Sequence, residues 1–306
     1  MLPVGELAAL SCSVLWAACS LAFASAGRRV GAAAVNQLRI YLALVVLFAL
    51  HPAVVGALLP EGLSSRQLTT LAMSGVAGLV LGDYFLFRCM TVVGPRIGTL
   101  LMASSPVFTS LIAWFAFDET ILVLGILGMF VTLGGVVLVL VDRRAVEGWQ
   151  AAPGDRRALA VGFGFIGALG QSIGFLMTRH GMAAVGEAEI VIPAFSVTLV
   201  RMAAAALVLT LGSAMLGGFG PVTRAVRDRR AFGQIAVGAV FGPILGVWMS
   251  VVAVHHAKAG IAATLMSLAP VLMLPIGRIA YGSRPGTLGI LGTLAAVGGA
   301  TLLVVR

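Results

Sequence analysis

Residues 82–140 read GDYFLFRCMTVVGPRIGTLLMASSPVFTSLIAWFAFDETILVLGILGMFVTLGGVVLVL, and residues 246–304 read GVWMSVVAVHHAKAGIAATLMSLAPVLMLPIGRIAYGSRPGTLGILGTLAAVGGATLLV. The second stretch lies on the first at a constant offset of 164, without a gap. Gly82 falls on Gly246, Ile97 on Ile261, Leu101 and Met102 on Leu265 and Met266, and Pro106 on Pro270. The run Leu124-Gly125-Ile126-Leu127-Gly128 falls on Leu288-Gly289-Ile290-Leu291-Gly292, and Gly134–Gly135 on Gly298–Gly299. Gly, Leu and Val match cheaply by chance. The two prolines and the five-residue run, all in one register, do not. A long internal repeat decides the fold before anything else does.

Working outward, the chain of 306 residues is 60% hydrophobic and only 10% charged, too little polar surface to coat a soluble globule. Several apolar runs exceed the ~18–20 residues that cross a bilayer as helix. Cys12, Cys19 and Cys89 lie inside such runs, where a thiol behaves as a small apolar side chain, so no disulfide framework follows. The net charge of +9 would point to nucleic acid in a soluble protein. Here the arginines gather in short loops between apolar runs, the ordinary topology signal of a membrane protein, and no basic face remains for nucleic acid.

Ten spans are expected. The first covers about 7–26, the second 34–51 with Arg39 inside it, and the third 67–90 with Asp83 and Arg88. Pro95 restarts the chain, the fourth span reaches Phe117 with Pro106 at mid-depth, and Asp118–Glu119 turn into a fifth span ending near Val141. The polar stretch 142–157 reads as a linker. The two repeats are thus 1–141 and 158–306. In the second, spans fall at about 158–178, 190–211 with Arg201, 232–254, 258–281 with Pro270 and Pro275, and the C-terminal stretch. The fold class is all-α integral membrane: ten helices in two five-helix repeats.

Five spans per copy is odd, so the second copy enters from the opposite side. Inverted repeats of this kind recur in secondary transporters, with the substrate near mid-membrane between the halves. Helices interrupted at matching depth point to that site, and Pro106 and Pro270 are such a pair. Proline also serves simply to fit neighbouring helices.

These features together resemble the drug/metabolite transporter superfamily, in its ten-helix EamA-type members. The likeness covers nearly the whole chain and rests on the five-plus-five repeat, on Arg39 and Arg201 in the second helix of each copy, and on the proline-containing fourth and ninth helices. The stretch from Pro106 through Asp118-Glu119 also carries it. The family's turn there usually puts a glycine before the acid, and here Asp118 replaces that glycine. Ser283 aligns with Glu119, so the second copy has lost its acid. Members look like exporters of amino acids, metabolites or drugs, and distant relatives exchange nucleotide or phosphorylated sugars. The resemblance thus implies a small-molecule substrate, with or without a coupled proton, but fold analogy does not choose among solutes.

Ionisable groups inside a membrane cost about 2.5–3.5 kcal/mol each at mid-helix on translocon scales, so each needs a reason. Arg39, Asp83 and Arg88 share a layer in which they can neutralise one another as a clamp between the second and third helices. Alternatively, Asp83 binds a cation or a proton on the translocation path. His255 and His256 could relay protons, or simply sit at a membrane interface. No metal-spaced cluster, nucleophile elbow or phosphate loop occurs, so neither an enzyme nor a cofactor is expected. A secondary transporter is favoured over a membrane-embedded enzyme, which would need more than one intramembrane acid, and over a non-transporting scaffold.

By alternating access, the central cavity should be walled by Trp16, Ser20, Tyr84 and Met102 from one copy, and by Gln171, Phe175, Trp248 and Met266 from the other. Asp83 joins them, with Arg39, Arg88, Arg201, Pro106 and Pro270 in structural or gating roles. Met and aromatic residues make a pliable wall, but at helical spacing they also simply pack a bundle. Thirteen loop arginines face one side, against four basic residues on the side that holds the termini. This puts the termini outside a plasma membrane, opposite to many relatives of this type. The chain should act as a monomer or a homodimer.

Overall fold

The computed structural model describes residues 4–117, 123–142, 157–182, 192–215, 218–257, 265–266, 268–282 and 286–302. The turn at Asp118–Glu119, most of the linker, Lys258 and Ser283 lie outside the described residues. Among the described residues the regular structure is helical. The first copy contains α1 (Val4–Val30), α2 (Ala32–Val55), α3 (Ser65–Gly75), α4 (Asp83–Val93), α5 (Pro95–Met102), α6 (Ser105–Phe117) and α7 (Val123–Val141). The second contains α8 (Arg157–Met182), α9 (Ala194–Met215), α10 (Gly220–Arg227), α11 (Arg229–Ala239), α12 (Val247–His256), α13 (Ala269–Tyr281) and α14 (Thr287–Leu302). Among those residues eight helices are long and apolar enough to cross a membrane, with Ser65–Val93 and Arg229–Ala253 each a single rod. Two shorter apolar helices, Ala269–Ile279 and Thr287–Leu302, follow.

Local chemistry sets the ends. Gly31 and Gly94 turn the chain at φ 88°, a left-handed backbone that side chains resist, which lets α2 and α5 restart at once. Pro95 then opens α5, where its missing N–H costs nothing. Ser64 caps α3 with a reciprocal box: its hydroxyl accepts from the Gln67 N–H, and its own N–H donates to Gln67 Oε1. Asp228 accepts from the first N–H groups of α11, and these, with Arg29 beside it, hold its carboxyl below the usual carboxylate range.

Packing pairs corresponding elements of the two copies. α2 lies on α9, and α7 on α14. α1 packs on the rod made by α11 and α12, while its counterpart α8 packs on the rod made by α3 and α4. The α7–α14 seam shows why glycine recurs at one register. A Cβ on Gly135 would overlap the Ala296 backbone and stand 2.5 Å from the Gly292 oxygen, and one on Gly299 would stand 2.7 Å from the Gly128 oxygen. The two contacts are repeat images of each other. Gly134 and Gly298, the other members of the matched pairs, face open space.

The helix ends fall into two groups. Arg29 pairs with Asp228 at 2.9 Å, and Gln234 donates to Ser25 at 2.9 Å. Gly286 and Gly289 press on Asp142, with Arg96 also beside Gly289. In the other group, Arg66 meets His180 at 3.0 Å, and Gly5 touches Ala257.

Candidate functional site

The third rod does not stay α-helical. Between α3 and α4 the segment Val76–Gly82 widens into a π-helix. Such a turn disturbs the i→i+4 ladder and leaves carbonyls for other donors. Here side chains from two other helices supply them. Asn36 Nδ2 donates to the Val80 carbonyl at 3.1 Å, Arg39 Nη2 to Leu79 at 3.2 Å, and Gln171 Nε2 to Gly78 at 3.3 Å. Asp83 heads α4 directly after the wide turn. Its Oδ2 pairs with Arg39 Nη2, and its Oδ1 accepts from Gln171 Nε2 at 2.6 Å. Asn36 Oδ1 accepts twice from Arg39, at 3.1 and 2.8 Å. The guanidinium carbon of Arg39 lies 4.9 Å from the Phe87 ring centre and 5.7 Å from that of Phe23. Asn36, Arg39 and Asp83 are buried, while Gln171 is half-buried.

The glycines of α8 let Gln171 reach this layer. A Cβ on Gly170 would stand 2.8 Å from the Gly82 Cα, and one on Gly174 would stand 3.0 Å from the Gly78 Cα. Backbone therefore meets backbone where the second copy lies on the first.

The second copy repeats the device at the same offset. Val240–Gly246 is also a π-helix, between α11 and α12. Pro243 stands where the first copy has Leu79, and Val247 where it has Asp83. Cys12 Sγ donates to the Gly246 carbonyl at 3.4 Å, and the Trp16 ring closes on Gly246. The fourth-span breaks also match. Ser104 N donates to Leu101 O at 3.1 Å and Val107 N to Ser104 O at 3.0 Å, while Leu268 N donates to Leu265 O at 3.3 Å and Val271 N to Leu268 O at 3.0 Å. Pro106 and Pro270 thus sit in the first turn of a restarted helix, α6 and α13.

The profile of the EamA-like transporter family matches residues 3–141 and again residues 158–305. The chain belongs to the EamA-like transporter family. It is a multi-pass membrane protein of a family of transporters. No curated protein matches it significantly. One solved structure, described only as the crystal structure of a protein, superposes with a TM-score of 0.65 at 18% identity, covering 97% of this chain and 95% of that chain. At that identity the likeness shows the fold alone.

The residues singled out from sequence fall into three places in this EamA-like protein. Asp83 and Gln171 meet directly in the polar cluster. Trp16, Phe175 and Met266 share an apolar cluster with Cys12 and Ala253, and Trp16 also touches the cluster that holds Met102 and Phe87. Ser20 is buried; its hydroxyl donates back to Trp16 and Ala17 carbonyls and touches Met273 Sδ at 3.8 Å. Trp248 lies elsewhere, edge-on to Phe195 of α9 at 5.2 Å. Tyr84 is half-buried and stacks edge-on with its neighbour Phe85.

Arg88 is a correction. It does not join Asp83 and Arg39, but is exposed and lies over Phe163 at 5.8 Å. Five residues along a helix turn a side chain by about 140°, so positions 83 and 88 point away from each other. Arg201, by contrast, is buried and turns toward the first copy's π-segment. His255 and His256 are exposed at the end of α12.

Sequence reading missed Asn36 and both π-helices. Asn36 lies one turn before Arg39 in an apolar run and so shares its face. The spacing Gly78-x-x-x-Gly82, repeated as Gly242-x-x-x-Gly246, marks where another helix approaches closely.

Proposed function

We propose that this EamA-like protein is a secondary transporter that exports a small metabolite, amino acid or drug-like solute by alternating access. It would have ten spans in two inverted repeats, 1–141 and 158–306, joined by 142–157. The observation that carries the reading is the Asn36–Arg39–Asp83–Gln171 cluster. It is built on a π-helical interruption deep in an apolar rod, at the seam where α8 of one half lies on the other. Charged groups in such a place are expensive and mark a functional layer by default. Interrupted helices at matched positions are the usual frame of a transporter's central site. The grouping of helix ends supports the inverted arrangement, since each of these contacts among the described residues joins ends that five spans per copy would put on one side. The half-buried Trp16, Met102, Gln171 and Phe175, with Met266, form the cavity wall in this reading.

Cysteine labelling tests both cavity and orientation. In a variant without Cys12, Cys19 and Cys89, single cysteines at Gln171, Phe175 and Met102 should react with a water-soluble thiol reagent faster than ones at Val137 and Leu291, which are exposed on the outer helices. In intact cells an impermeant reagent should reach Arg66→Cys and not Arg227→Cys, because the arginine excess puts the latter inside. Equal reactivity at the inner and outer positions would remove the cavity. Labelling of Arg227→Cys alone would invert the orientation.

A further inference from the structure

Among the described residues, the buried layer holds one more arginine than it has carboxylates. Arg39 is satisfied by Asp83, Asn36 and the Leu79 carbonyl. Arg201, 7% exposed, has no ion pair with a described carboxylate, and its Nε has no hydrogen-bond partner among the described residues. The repeat shows where the missing acid would stand. The first copy carries Arg39 with Asp83; the second carries Arg201, and position 247, the counterpart of 83, is valine. Arg201 turns instead toward the first copy. A Cβ on Gly78 would stand 3.5 Å from Arg201 Nη2 and 3.3 Å from Gln171 Oε1, so the guanidinium lies beside the half-buried edge of the cluster. Asp83 is within its electrostatic reach but is already committed to Arg39 and Gln171.

We infer that Arg201 is the anchor for a carboxylate on the transported solute. Two guanidiniums against one carboxylate leave a single positive charge, which a monoanion neutralises. A planar carboxylate also matches the guanidinium fork in a way that a rounded ion does not. A buried cation without a partner is strongly destabilised, so a solute that supplies the partner gains that interaction on binding. Gln171, which touches Asp83 and lies beside Arg201, would sense whether the anion is present. The inference rests on the transport reading and narrows it to carboxylate-bearing solutes.

The test uses the full chain in detergent and in proteoliposomes, with propionate, phenylacetate and 4-methylpentanoate as probes and their uncharged carboxamides as matched controls. Carboxylates should raise the melting temperature of the wild type and the carboxamides should not. Arg201→Gln should weaken the apparent carboxylate affinity roughly tenfold or more, as loss of a charge-assisted pair implies. Arg201→Lys, which keeps the charge and guards against a folding defect, should retain part of it. Equal protection by carboxamides, protection by no carboxylate, or unchanged carboxylate binding in Arg201→Gln would each overturn the inference. Proteoliposome uptake separates the two readings. Movement of the uncharged probes without any carboxylate effect sinks this inference alone. Carboxylate protection without movement of any solute sinks the transport reading and leaves the anion site standing.

Discussion

Arg39→Ala should destabilise the protein by about 3–5 kcal/mol, the usual cost of stranding one partner of a buried ion pair. The substitution strands Asp83, whose carboxylate keeps one hydrogen bond among the described residues, from Gln171 at 2.6 Å. It also removes the donor to the Leu79 carbonyl of the π-segment and the cation over Phe87. The double variant Arg39→Ala, Asp83→Ala removes the stranded charge and should recover part of the loss. Melting in detergent reads both, and the coupling term between the two sites should be at least about 1 kcal/mol, as for residues in one network. Additive losses would mean that the ion pair contributes nothing beyond its separate members.

The second large effect belongs to the α7–α14 seam. Gly135→Val should cost about 3 kcal/mol or more, at the upper end of overpacking penalties, because what meets the new side chain is backbone. Neither helix can give way by changing a rotamer. Gly134→Val, one residue away, meets nothing within 4 Å and should be close to neutral. Gly299→Val should behave like Gly135→Val, since its Cβ would stand 2.7 Å from the Gly128 oxygen. A melting comparison of the three variants checks this. Similar temperatures for the 134 and 135 variants would mean that the helices do not pack as closely as the seam shows.

Much of the architecture was legible because repetition amplifies weak signals. Pro106 and Pro270 fell in one register in the sequence, and the helix restarts at both. The pairing of Arg39 with Asp83 was legible for an electrostatic reason: two opposite charges in neighbouring apolar runs have few other partners. Including Arg88 failed because distance along the chain was read without rotation about the helix axis. The π-helices were hidden because seven apolar residues carry no period that separates a wide turn from an α-helical one. Trp248 was placed by analogy with Tyr84, but the seam against α9 offered Phe195, and the ring packs there. The expected ninth span appears as a shorter apolar helix, Ala269–Ile279, among the described residues. The repeat therefore fixed the elements, while the asymmetry between the copies, Asp83 against Val247, set the chemistry.

The proposed path takes a solute across the membrane past Gln171 and Asp83. It is tested most directly by uptake of a radiolabelled panel of metabolites, amino acids and drug-like solutes into proteoliposomes. Wild-type protein should move at least one panel member saturably, and Gln171→Leu should slow that movement while Arg66→Cys, at the exposed start of α3, should not. Transport of every panel member at the rate of protein-free vesicles, or equal rates in wild type and Gln171→Leu, would contradict it.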